Sequence, residues 1–578
     1  MSRRSLVGLI SALMLSLTAV KADNAVYTPA GSLWRVTDSV CAADFQLPMK
    51  IEPLLSANFG ELRHNHFHSG LDIKTQGTVG KHVYAVADGW VSRVAVTRYG
   101  YGKAVYIDHP NGYTSVYGHL DAFAPRLDSV VRAAQYGSRS YFQSLYFEKG
   151  EIPVLRGERI ALSGNTGGSG GPHLHFEIRE TQSEEPMDPL LWLSDRFVDR
   201  EKPRAQALAV YAKKGEGALS NGQEKAVVPL NTAEAPALPA VWGKVGLGLK
   251  AYDYMTGTTN VYGICHLRLF VDEKEVFSQQ FNRFSFDESR YVNALADYGE
   301  WATRSSWIMR SFRLPFNGLD VYPVMLDDGY VTIDEQRPYP CRYELTDRSG
   351  NQTVVSFVLH GRKMEIPPVD STLLCFYPQY DNEYVGTDVR LLIPRGSLYE
   401  PLFFRYDQRP SPYVSDYYDL HDLSVPVHSP LALEISLRRD PLSDKSRYYL
   451  SHLDSKGRWE FVPAVYSEGR MQADIRELGT YTVMIDSVPP KIILPGIDNV
   501  LKNALIRIGI RDDETDIGGY ECLIDGAWAL FEDDYKNTSI FYRPDGRALQ
   551  RNGQTHTLSV KVWDACGNVR QKEWHFIY

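Results

Sequence analysis

Eight of the chain's 15 histidines fall between His64 and His175. Imidazole is the commonest metal ligand and the commonest general base near neutral pH, and scattered surface placement does not concentrate it in this way. The stretch from Asn58 to Glu180 must therefore fold so that imidazoles are gathered. Its clearest element comes last. After Gly164, Gly167, Gly168, Gly170 and Gly171 stands Pro172-His173-Leu174-His175-Phe176-Glu177. The alternation predicts a strand. Residues two apart on a strand share a face, so His173 and His175 point into one cavity while Leu174 and Phe176 pack behind them. The glycines let the backbone approach a substrate closely, or make a flexible turn.

The surrounding pattern is β. Lys81–Ala87 and Trp90–Val94 flank Asp88-Gly89. Ala104–His109 and Tyr113–Tyr117 flank Pro110-Asn111-Gly112, and Asn-Gly between alternating apolar runs is a strong hairpin signal. From Leu127 to Phe147 the texture changes, and one or two short helices are expected there. Residues 196 to 578 carry short β runs with turn signals between them and no comparable chemical cluster. Tyr343–Asn351 and Val560–Asn568 echo one another, each with Asp-x-x-Gly-Asn after an alternating strand. This predicts the last hairpin of a sandwich, turned by Gly-Asn. Ser487-Val488-Pro489-Pro490 marks a stiff joint.

The expected fold is mainly β: a small antiparallel catalytic domain with a short helical insertion, then several Ig-like β-sandwiches. The expected boundaries are a signal peptide at 1–22, an approach segment at 23–57, the histidine-rich domain at 58–195, a β-sandwich at 196–365, a β-rich domain at 366–487 and a C-terminal Ig-like sandwich at 488–578. The signal rests on Arg3-Arg4, the apolar run Leu6–Val20 and the small-residue site around Ala22. No later stretch is apolar enough to span a membrane. A net charge of −9 without a basic cluster excludes nucleic acid as a partner. None of the six cysteines has Cys-x-x-Cys spacing. Cys265–Cys341 and Cys522–Cys566 could each close a disulfide within one domain, or all four could be buried free thiols.

Four features converge on one chemistry. His68-x-x-x-Asp72 offers an imidazole and a carboxylate suited to zinc. His173-x-His175 offers two imidazoles on one face. His119 stands at the mouth of a loop, and the glycine run adjoins the pair. Three ligands with one open water position form the catalytic zinc pattern. Zinc lowers the pKa of water towards ~7 and polarises a carbonyl, while histidines outside the ligand set transfer protons and hold the oxyanion.

Phe59-Gly60-x-x-Arg63, His68-x-Gly70-x-Asp72, Tyr117-Gly118-His119-Leu120 and the run Ser163–Glu177 together resemble the lysostaphin/LytM-type zinc metalloendopeptidases of bacterial cell walls. The resemblance covers about residues 58–193. It implies that His68, Asp72 and His175 bind one Zn2+ and that His119 and His173 are the catalytic histidines. It implies a groove over a small antiparallel sheet, and peptidoglycan stem peptides or cross-links as substrate. The insertion at about Pro125–Pro153 is longer than the family's usual loop, and the later domains are outside the family's core. His64, His66, His82 and His109 receive no role; His109 is expected to be structural.

The expected protein is an exported zinc peptidase of the periplasm, cell envelope or extracellular space, with a protein or glycan partner for its C-terminal β domains. Two alternatives stand beside it: a non-catalytic cell-wall-binding regulator of other hydrolases, and a peptidase of glycine-rich extracellular proteins. Completeness of the five polar positions argues against the regulator.

Overall fold

Leu174, Phe176 and Ile178 are fully buried on one face of the strand His173–Glu180, each side chain contributing ~1.5–3 kcal/mol by its burial. That strand lies inside an antiparallel sheet. The order is Leu55–Ala57, Leu71–Lys74, His173–Glu180, Tyr113–Gly118, Lys103–Asp108, Gly89–Val96, Gln143–Tyr146. A smaller sheet of His82–Tyr84, Arg159–Ser163 and Leu120–Phe123 packs beside it. This is a computed structural model, and it describes residues 45–230, 238–370, 372–494 and 505–578. The expected signal peptide, residues 23–44 of the approach segment, and Cys41 lie outside the described residues.

Of the one or two short helices expected between Leu127 and Phe147, one is present. Pro125–Ser138 is a helix, opened by a proline in its first turn and ended at Arg139, whose φ is 51°. Gln143–Tyr146, where a second helix could have formed, is a strand on the free edge of Gly89–Val96. Aromatic and apolar spacing over four residues fits either state, and the available sheet edge decides it.

Three further two-sheet units follow, each with its own apolar core. The described residues are mainly β throughout. Both Asp-x-x-Gly-Asn turns close long antiparallel hairpins, and in each the glycine takes the positive φ (88° at Gly350, 77° at Gly567). The first two cores interlock. Phe59 and Phe67, at the start of the histidine-rich stretch, sit in the second core, while Met255 and Tyr262 enter the first.

Cys265, Cys341, Cys522 and Cys566 are buried free thiols, so neither conjectured disulfide forms. Cys522 belongs to the terminal core, whereas Cys566 packs against Tyr449 and Met484 of the preceding unit. Cys265 Sγ is spent on the Thr346 carbonyl and Cys341 Sγ on that of Tyr339.

The terminal unit returns to the first. Arg98 pairs with Asp533 at 2.6 Å and Lys103 with Glu532 at 2.7 Å. The Tyr136 hydroxyl donates to Asp545 at 2.6 Å. Lys536 Nζ donates to the Asn165 carbonyl at 2.6 Å, and the Tyr535 hydroxyl to that of Gly167 at 3.2 Å.

Candidate metal and catalytic site

Strand register brings the polar residues together. His173–Glu180 runs antiparallel to Leu71–Lys74 with His175 opposite Asp72, and on its other side His175 faces Gly118. His119 follows directly, leaving the strand at a left-handed φ of 57°. His68 enters just ahead of Leu71–Lys74. The result is a compact group. Asp72 Oδ1 lies 3.0 Å from His68 Nε2, 2.9 Å from His175 Nδ1 and 3.3 Å from His173 Nε2. His68 Nε2 and His175 Nδ1 are 3.2 Å apart. His68, Asp72 and His175 are all buried and offer converging atoms that could hold a metal ion.

Each of four imidazoles has its outer nitrogen committed. His68 Nδ1 donates to the Asn58 carbonyl at 2.7 Å. His119 Nδ1 donates to that of Thr166 at 2.7 Å, and His173 Nδ1 to that of Gly171 at 2.8 Å. His175 Nε2 donates to Glu177 Oε1 at 2.8 Å. A proton pinned on the outer nitrogen assigns the tautomer and turns the other nitrogen inward. The inward His173 Nε2 is buried with no hydrogen-bond partner among the described residues, which is the state of an atom placed to meet a ligand.

Electrostatics sort the group. Burial, then His175 and His173, pull His119 down to about 3, so it is a neutral imidazole at physiological pH. Burial opposes charge on His175, yet Asp72 and Glu177 outweigh it and hold it up at about 9. A cation taking Nδ1 therefore displaces a proton. Burial also opposes charge on Asp72, but the surrounding histidines hold it well below the usual carboxylate range.

Behind the imidazoles lies a network to which sequence reasoning assigned no role. Glu177, fully buried, accepts from His175, from the Tyr101 hydroxyl at 2.6 Å, from Ser69 Oγ at 2.5 Å and from Arg179 Nε at 2.6 Å. Its place two residues after His175, on the same face, was the available signal. Of the histidines without a role, His109 is buried between the Asp88 carbonyl and Ser115, His64 stacks on Trp301 at 4.2 Å, and His66 and His82 are exposed.

The glycine run has two parts. A Cβ on Gly164 would lie 2.3 Å from Asp121 N, and one on Gly167 2.3 Å from Gly100 O. These two glycines permit backbone to press on backbone, which fixes the Thr166 carbonyl against His119. Gly170 and Gly171 face open space.

Residues 66–189 match the family model described as Peptidase family M23, and residues 374–486 match that of a Zu5-like domain. An uncharacterized metalloprotease of Haemophilus influenzae is 41% identical over 112 residues, 19% of this chain and 18% of that protein. The DD-carboxypeptidase/endopeptidase Mpg of Neisseria meningitidis is 34% identical over 150 residues, 24% of this chain and 28% of that one. The murein hydrolase activator NlpD of Escherichia coli is 31% identical over 129 residues, 22% and 27% of the two chains. These matches thus span less than a third of each relative's length. Among solved structures, the catalytic domain of lysostaphin from Staphylococcus simulans aligns with 25% of this chain and 92% of its own, at 22% identity and a TM-score of 0.19. Residues 66–189 of this chain are a peptidase family M23 domain.

Proposed function

We propose that this protein is an exported zinc-dependent endopeptidase that hydrolyses peptide bonds in peptidoglycan stem peptides or cross-links. The observation that carries the reading is the inward convergence of three imidazole nitrogens, of His68, His173 and His175, on Asp72, with the His119 ring beside them and each of the four rings held by a bond on its far side. Two nitrogens and a carboxylate oxygen are a donor set that zinc accepts in catalytic sites, so His68, Asp72 and His175 are the ligands in this reading. Zinc supplies Lewis acidity, polarising the scissile carbonyl and acidifying water.

His119 and His173 are the residues that move protons. Their rings lie 4.8 Å apart, centroid to centroid, beside the ligand group. His119, neutral and anchored through Nδ1, has Nε2 free to accept the proton of the attacking water. His173, anchored likewise at Gly171, has Nε2 on the same cavity, where its protonated form donates to the developing oxyanion. The open backbone at Gly170 and Gly171 leaves room for an extended peptide. The relative named DD-carboxypeptidase/endopeptidase supports peptidoglycan as the substrate class, and with it a site of action in the periplasm or cell envelope. Among the described residues no helix is long and apolar enough to cross a membrane. The later β domains serve a protein or glycan partner.

The test is digestion of purified, cross-linked peptidoglycan by the full chain, with released fragments identified by mass spectrometry. Loss of cross-linked dimers in favour of monomers, absent with His119→Ala, is the expected result. The relative named as a hydrolase activator marks the opposing outcome: no fragments released by the chain alone, but faster release by a second hydrolase.

A further inference from the structure

Away from the imidazoles, two trios of aspartates are built on one plan. In the first, Asp199 lies on the segment leaving the M23 domain, Asp253 follows the strand Val241–Tyr252, and Asp347 opens the first Asp-x-x-Gly-Asn turn. In the second, Asp486 lies on the segment leaving the Zu5-like unit, Asp512 follows Ile506–Arg511, and Asp564 opens the second such turn. In each trio the three carboxylates present oxygens within 4.8 Å of one another. The turn asparagine repeats as well. Asn351 Nδ2 donates to the Asp199 carbonyl at 3.5 Å, and Asn568 Nδ2 to that of Asp486 at 3.2 Å.

Neither trio is neutralised by protein. Among the described residues no lysine or arginine pairs with any of the six. Arg348, next to Asp347 in sequence, pairs with Asp188, and Arg447 pairs with Asp444. Each trio also keeps one carboxylate oxygen that is buried and has no hydrogen-bond partner: Oδ1 of Asp253 and Oδ2 of Asp564, the latter residue only 2% exposed. A buried carboxylate oxygen without a partner, facing two more carboxylates, is strongly unfavourable as a free anion, and is relieved by a proton or by a cation shared with its neighbours. The donors are all oxygen, so the cation is a hard one. Ca2+ takes six to eight oxygens at ~2.3–2.6 Å in irregular geometry, whereas Mg2+ demands a tight octahedron and keeps its waters.

We propose that each trio is a calcium site, fastening the segment that enters a β unit to that unit's Asp-x-x-Gly-Asn turn. Calcium then sets the stiffness of two joints, one after the M23 domain and one before the terminal unit. The test is a Ca2+ titration of the zinc-loaded full chain by calorimetry and equilibrium dialysis, with thermal melting in parallel. Two calcium ions are expected per chain, half-saturated in the ~0.1–1 mM range of extracellular modules, and the melting midpoint should rise with calcium. Asp347→Asn and Asp564→Asn should each bind one ion. The double variant should bind none and lose the calcium-dependent rise. Wild-type stoichiometry decides the matter even where a variant folds poorly. Absence of binding up to ~10 mM, well above the range for such modules, would overturn the proposal. So would retention of both ions by either single variant, or equal affinity for Mg2+.

Discussion

Glu177 is the residue on which the candidate metal site leans hardest. One of its oxygens receives three donors, from His175, Tyr101 and Ser69, and the other receives Arg179. Glu177→Gln keeps the volume and removes the charge. Whichever way the amide turns, its NH2 meets donors: either Arg179 Nε, or the trio on the other side. If the oxygen stays towards His175, the imidazole keeps its orientation but loses a charged acceptor, and the buried Arg179 is left with the Tyr101 hydroxyl at 3.1 Å and, as carboxylate, with Glu184, 74% exposed and 3.8 Å away. Partners of this kind behind a ligating histidine are worth ~10–100-fold in metal affinity, or ~1.4–2.7 kcal/mol at ~1.36 kcal/mol per decade. Breaking a buried ion pair from one side costs ~3–5 kcal/mol of folding stability. Competition against a chromophoric chelator measures the first quantity, and denaturant unfolding of the metal-free protein the second. Glu184→Gln is the control and should change neither. If Glu177→Gln bound zinc within about threefold of wild type, well short of the expected loss, and unfolded at the wild-type midpoint, the supporting role of Glu177 would be refuted.

The paired histidines should separate. His175→Ala should lose both metal and activity, whereas His173→Ala should keep the metal and slow turnover by ~10²–10⁴-fold; equal loss of zinc in the two would show the roles to be misassigned. Gly167→Ala forces a Cβ to 2.3 Å from Gly100 O at a φ of 66°. It should displace the Thr166 carbonyl from His119 and reduce kcat with zinc content unchanged, and an unaltered kcat would remove the loop from the catalytic account. The returning terminal unit should loosen in acid. Burial opposes charge on Glu532, but Lys103 and Arg543 keep its pKa below the usual value. Its contribution is therefore present above the unfolded value of ~4.3 and lost as pH falls through the lower folded one. Asp533, raised by burial despite Arg98, runs the other way. Protection of the Glu532–Asp534 amides from hydrogen exchange, taken relative to the intrinsic rate at each pH, should fall in acid before that of the terminal core, and protection unchanged down to about pH 3 would contradict this.

The local half of the site is legible from sequence because it depends on periodicity. His173 and His175 alternate with Leu174 and Phe176, and a strand turns that alternation directly into one polar and one apolar face. The pairing of Asp72 with His175 is different. It depends on the register of strands 103 residues apart, and no local pattern encodes register. The same limit hid Glu177's partners and the contact from Lys536. Whether the insertion held one helix or two was not legible, because the four residues Gln143–Tyr146 carry too little periodicity to outweigh a free sheet edge. The two Asp-x-x-Gly-Asn turns were visible as hairpins, but not the other aspartates that meet them, which come from separate strands.

The contact between Lys536 and Asn165 joins residues 371 positions apart. Synthesis proceeds from the amino end, so the loop that anchors His119 is made long before the residues that brace it. A ribosome-bound or truncated chain ending before residue 530 already holds all five polar residues of the site, yet its Asn165–Gly167 loop has no outer support. The order of the loop beside His119 thus depends on residues far along the sequence as well as on those around it.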